Sequence, residues 1–141
     1  MTEQMAKFGR RYLILLWVGL TTILLGVLLV GLARTATIGV VDQGFWKGVV
    51  IIILIALATG IAAWGVERRR GWSYYFSLVL SLLLIASHVG SLATLEESNR
   101  RLAVPVPWWL PTAFLVAIGM GFFWLVLPGA RAEFSPRAKK T

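Results

Sequence analysis

His88 is the only histidine in the chain, and it sits inside an apolar stretch that contains no lysine, arginine or carboxylate. An ionisable side chain surrounded by membrane-like sequence is a site candidate by default, because burying it in hydrocarbon is costly. At 100° per residue, Tyr74, Ser77, Ser81, His88 and Ser91 fall on about a third of one helix circumference and form the most polar face of any apolar segment. One imidazole on such a face has four ordinary uses. It can ligate a haem or chlorophyll-type pigment from one side, donate a hydrogen bond to a quinone, line a path for a neutral solute, or bond to a neighbouring helix or interfacial water. A haem held by two histidines of this chain is excluded by the count.

The remaining chemistry is defined by absence. With no cysteine, the sequence has no disulfide, thiolate metal site, dithiol redox couple or cysteine nucleophile. Proton-coupled transport and membrane aspartyl hydrolysis need buried carboxylates. The acids here, Glu3, Asp42, Glu67, Glu96, Glu97 and Glu133, all lie between the apolar segments or beyond them. Small four-helix multidrug exporters carry a glutamate in their first helix, and lipoprotein signal peptidases need two aspartates. Neither pattern is present. No glycine-rich phosphate loop, serine–base pair or metal-ligand cluster occurs either. The reading is of a chain that is not an enzyme and has no resident cofactor, quinone, haem or pigment contact at His88 being the alternative.

The elements that would hold these residues follow from charge spacing. Of 141 residues, 58% are hydrophobic and only 14% charged, with a mean hydropathy of +0.80; a soluble domain carries about 25% charge. The charges cluster and leave four charge-free stretches, Tyr12–Ala33, Gly48–Val66, Gly71–Leu95 and Leu102–Ala130. A helix needs about 20 residues to cross about 30 Å of hydrocarbon. The sequence therefore predicts an all-α integral membrane protein. It is a single membrane domain over residues 1–141, with four transmembrane helices near 12–32, 46–66, 72–93 and 108–127 and a basic tail over 128–141. The i,i+4 pairs Glu96–Arg100 and Glu97–Arg101 leave an extension of the third helix to 102 open. Alternating ten-residue segments of a β-barrel are missing. Trp46, Trp64, Trp72, Trp108 and Trp109 fall at helix ends, where indole favours the headgroup level; Trp17 and Trp124 lie a turn deeper. The first helix resembles a signal sequence, with Gly31-Leu32-Ala33 as a cleavage-like site. Its apolar run exceeds the about 7–15 residues of a signal core, so it is expected to be retained as a span.

Orientation rests on Lys and Arg. Ten of the fourteen lie in the N-terminal segment (Lys7, Arg10, Arg11), the turn Arg68–Arg70 and the tail (Arg131, Arg137, Lys139, Lys140). The positive-inside rule then puts both termini in the cytoplasm of a prokaryotic plasma membrane, in an up-down antiparallel bundle. The net charge of +8 is a topology signal, and no nucleic-acid partner is expected. Arg68, Arg69 and Arg70, with Trp108 and Trp109 on the other side, are the headgroup-facing residues, and membrane lipids are the first expected partners.

Close helix approach is marked by small residues: Ala113, Ala117 and Gly121 on the fourth helix, Ala56 with Gly60 and Ala58 with Ala62 on the second, Thr22 with Gly26 on the first. The run Arg-Arg-Arg-Gly-Trp at 68–72, with Ala-Arg-Ala-Glu-Phe at 130–134, resembles small four-helix membrane proteins of prokaryotes that have no assigned chemistry, so the resemblance implies no activity. The expected function is a non-catalytic accessory subunit of a larger membrane complex, an energy-transducing (electron-transfer) assembly among the options, acting by helix packing with other transmembrane subunits. The alternatives are a binding module built on His88, or an oligomeric carrier or channel for a neutral solute.

Overall fold

The computed structural model describes residues 2–39, 43–97 and 107–134, and among these it is entirely helical, with no strand. Helix α1 spans Glu3–Ile38, α2 Gln43–Glu67, α3 Gly71–Ala93 and α4 Trp109–Val126; a 3-10 turn, Ala130–Phe134, follows. All four helices are long and apolar enough to cross a membrane.

Helix α1 has 36 residues and is about 54 Å long at ~1.5 Å per residue, longer than the 12–32 segment expected. Hydropathy locates hydrocarbon, not helix, and the polar ends of α1 continue the same backbone. Thr2 caps its start, with Oγ1 accepting from the Met5 N–H at 3.3 Å, and Glu3 pairs with Lys7 at 2.8 Å. Gly39 ends it in the left-handed region, φ 70°, its N–H donating to Thr35 O. Helix α2 closes with a Schellman turn: the Arg70 N–H donates to Gly65 O and the Arg69 N–H to Val66 O. The left-handed position of that turn is occupied by Arg69, φ 51°, the only non-glycine with positive φ among the described residues. Helix α4 stops where Leu127 turns extended, ψ 141°, ahead of Pro128, because proline disfavours helix in the residue before it.

Helices α1 and α2 pack extensively, as do α3 and α4; α2–α3 and α1–α4 contacts are fewer. The registers are set by particular pairs. Thr21 meets Thr59 and Gly31 lies by Phe45 between α1 and α2; the Tyr12 hydroxyl donates to Ala117 O at 2.8 Å between α1 and α4; the Tyr74 hydroxyl donates to Leu125 O at 3.1 Å between α3 and α4. Burial is concentrated toward one end. In α1 it is confined to Ala6, Gly9, Leu13, Trp17 and Leu20, in α3 to residues between Ser73 and Leu84, and in α4 to residues between Ile118 and Leu125. The second half of α1 buries nothing, and Leu25, Leu29, Val30 and Ile38 are exposed.

Two expectations are corrected by this core. Trp17 and Trp124, candidate headgroup residues one turn inside the spans, are 0% and 6% exposed within the bundle, whereas Trp46, Trp64, Trp72, Trp108 and Trp109 are exposed at helix ends. The segment after Pro128 is not all solvated tail. Gly129, φ 93°, redirects the chain, and Ala130 and Phe134 on one face of the 3-10 turn enter the core beside Tyr74 and Trp124. The rest of the tail, from Ser135, lies outside the described residues. So do Arg100 and Arg101, and with them the far part of the proposed extension of α3: the helix ends at Ala93, Thr94 is a turn, and residues 95–97 are helical again.

Candidate functional site

The polar face of α3 turns inward along most of its length. Ser73, Ser77 and Ser81, successive at i, i+4 and i+8, are fully buried. Ser73 donates to Arg70 O at 2.6 Å, while the Ser77 and Ser81 hydroxyls have no partner among the described residues; nor do the buried indole N–H groups of Trp17 and Trp124. Tyr74 is tied to α4 as above. Ser91, the last residue of the expected stripe, is exposed and bonds back to Ser87 O. The stripe thus divides into a buried serine row, a half-buried His88 and an outward Ser91. Ser73, absent from the sequence reading, belongs to the row; its position one turn before Ser77 was the available signal.

His88 borders a cavity of about 200 Å³ lined by Leu20, Leu24, Ile55, Thr59, Leu84 and Phe114, with Ile23 and Ser87 at its edge. All four helices contribute. The Phe114 ring lies 6.1 Å from the imidazole, tilted by 44°. His88 Nδ1 is 2.8 Å from Leu84 O, one turn back on its own helix. A carbonyl oxygen only accepts, so Nδ1 carries the proton. In the neutral ring Nε2 is then a lone-pair acceptor. Of the next hydroxyl pair only Thr59 lines the cavity: Thr59 donates to Ala56 O, Thr21 to Trp17 O, and the two oxygens are 2.7 Å apart. Two protons serve three contacts there.

The basic end is a second cluster. Glu133 Oε2 lies 3.7 Å from both Arg10 Nε and Arg69 Nη2, and its side chain is only 12% exposed. One carboxylate therefore joins α1, the α2–α3 turn and the 3-10 turn. Glu133 had no role in the sequence reading, since nothing in spacing ties residue 133 to residues 10 and 69. Arg68 lies over Trp64, 5.2 Å from the ring, and Trp64 and Trp72 are 6.4 Å apart. Arg68, Arg69, Arg70, Gly71 and Trp72 line an open cleft of about 540 Å³.

No protein-family profile, curated protein or solved structure matches this chain.

The small-residue strips are placed unevenly. Gly121 is buried against Leu13 and Leu16, Ala117 receives the Tyr12 bond, and Ala113 is exposed. Ala56 is buried, Ala62 fully so, and Gly60 faces Thr21 across the α1–α2 contact. Thr22 and Gly26 face outward, and nothing among the described residues lies within 4 Å of a Cβ built on Gly26. The α1 face at this contact is Thr21, one residue from the position that periodicity favours. Trp108 and Trp109 are exposed before and at the start of α4. Among the described residues no three His, Asp or Glu side chains gather as a metal-holding group.

Proposed function

We propose that the chain is a non-catalytic subunit of a larger assembly in a prokaryotic plasma membrane, docking other transmembrane helices on its α1–α2 face. The observation that carries this reading is a groove of about 370 Å³ between those helices. Ala56 and Gly60 form its floor, and Leu25, Ile53, Leu57, Ile61 and Trp64 its walls. Small residues at i and i+4 between larger side chains let a foreign helix approach closely, which is how helices associate where lipid supplies little hydrophobic drive. The bundle is up-down, with both termini cytoplasmic. In support, the three segments richest in Lys and Arg come together at one end around Glu133, and the positive-inside rule assigns that end to the cytoplasm. Arg68 and Arg70 then face anionic headgroups, each worth about 1 kcal/mol near the surface. Purification in mild detergent followed by native mass spectrometry tests the reading. A heteromeric mass is expected, lost in Gly60→Leu; a chain that travels alone, or only with copies of itself, overturns it.

A further inference from the structure

We propose that the His88 cavity binds a single aromatic ring bearing a hydroxyl group, a phenol or hydroquinone head whose O–H donates to Nε2. The site is independent of the groove on α1–α2. Three observations converge on it.

The first is the proton. Because Nδ1–H is committed to Leu84 O at 2.8 Å, the neutral imidazole offers a bare acceptor and no donor. The complementary ligand must bring the hydrogen. That choice inverts the expectation of a histidine donating to a quinone carbonyl. An oxidised ring presents only acceptors to Nε2 and is rejected by lone-pair repulsion, while the reduced ring is taken.

The second is shape. A volume of about 200 Å³ lies below the roughly 300–1,000 Å³ of pockets for drug-sized ligands. It encloses one six-membered ring and not a macrocycle. Phe114, 6.1 Å from the imidazole, offers a tilted face against which such a ring packs, and Leu20, Leu24, Ile55 and Leu84 supply apolar walls.

The third is the lack of competing partners. Nε2 makes no hydrogen bond among the described residues. The other polar side chains on the lining are Ser87 and Thr59; the Thr59 proton goes to Ala56 O, and its oxygen is 2.7 Å from Thr21 Oγ1. The ring is also close to the end of α3, with His88 five residues before Ala93, or about 7.5 Å along the axis. At that depth an amphiphile can keep its polar head at His88 while an alkyl tail runs into the bilayer.

The single histidine makes the test direct. Protein labelled with ¹⁵N-histidine shows one imidazole, so two nitrogen resonances report the tautomer and its partner. Three probes are titrated anaerobically into the protein in lipid nanodiscs: an alkyl-1,4-hydroquinone, its 1,4-benzoquinone, and its dimethyl ether, which has the same ring and no O–H. Expected are a proton on Nδ1 without ligand, a saturable shift of Nε2 with the hydroquinone, and binding at least several-fold weaker for the other two, the difference one hydrogen bond makes. Phe114→Trp, which fills the cavity, should remove the shift and leave the Nδ1 proton in place. A proton found on Nε2 in the free protein, equal shifts from hydroquinone and dimethyl ether, or no saturable shift at all would each overturn the proposal. Should Phe114→Trp fail to fold, the dimethyl ether comparison decides alone. None of these outcomes bears on the native-mass test of subunit docking.

Discussion

Gly9 offers the sharpest test of the packing, because two effects of opposite sign meet there. Replacing a helical glycine by alanine stabilises a helix by up to about 1 kcal/mol when the new methyl meets open space. At Gly9 it meets the Trp124 indole, overlapping Nε1, Cε2 and Cδ1. The indole has little room to retreat: it is 6% exposed, and behind it stands Phe134, 1% exposed, with ring centroids 6.1 Å apart. Either α4 shifts away from α1 or the indole leaves its rotamer. Overpacking of this kind costs about 1–3 kcal/mol; set against the backbone gain, the net change is a loss of up to about 2 kcal/mol. Gly19→Ala and Gly26→Ala, where no atom among the described residues lies within 4 Å of the added Cβ, should be neutral or slightly stabilising. Trp124→Ala removes the whole indole and with it the overlapping atoms. The Gly9→Ala/Trp124→Ala double variant should therefore recover at least about 1 kcal/mol relative to the sum of the single changes. Unfolding midpoints in detergent, followed by circular dichroism at 222 nm, measure the whole cycle. Gly9→Ala as stable as Gly26→Ala, or strict additivity in the cycle, would refute the α1–α4 packing.

Glu133→Gln should lower stability by about 1–3 kcal/mol, because Arg10 and Arg69, 18% and 22% exposed, would keep their charges without the shared carboxylate; the same detergent unfolding curves read it, and an unchanged midpoint counts against the junction. Arg69→Gly should be more stable than Arg69→Ala by about 1 kcal/mol, since both lose the ion pair but only glycine relieves the left-handed backbone; equal midpoints would remove the argument from φ. Tyr12→Phe and Tyr74→Phe each delete one interhelical hydrogen bond and should cost about 0.6 kcal/mol, at most about 1.7, additively because they join different helix pairs. Single cysteines at Arg70 and Arg131 in this cysteine-free chain should react with a membrane-impermeant maleimide only after the cytoplasmic face is opened, and a cysteine at Trp46 should react from outside; the reverse pattern would invert the bundle.

How much of this was legible in the sequence depends on what each residue's signal is. The four spans were readable because hydrocarbon imposes a long apolar run wherever a helix crosses it. The ends of α1 were not, because residues 3–11 and 34–38 are helical for reasons of capping and backbone continuity that hydropathy does not encode. That Ser77 and Ser81 share one face with His88 followed from angular position; that the serines turn inward did not. Nor did the cavity beside His88, since it needs α1, α2 and α4 in register. Thr22 and Thr21 are adjacent and identical, so a pattern of residue types has no means to choose the one that meets Thr59. Phe134 and Glu133 lie after Pro128-Gly129, in a segment whose composition reads as tail. Their placement depends on Gly129 turning the chain back onto α1, a long-range event with no local signature.

The docking of Ala130 and Phe134 into the core also orders the events of synthesis. These residues are the last described to leave the ribosome, yet they close a junction with Arg10, which is among the first. Until they arrive, Arg10 and Arg69 lie without the Glu133 carboxylate between them. A chain stopped at Leu127 would keep the contacts of Tyr12 with Ala117, Gly9 with Trp124 and Tyr74 with Leu125, and would lack the carboxylate that ties the basic end of α1 to the α2–α3 turn.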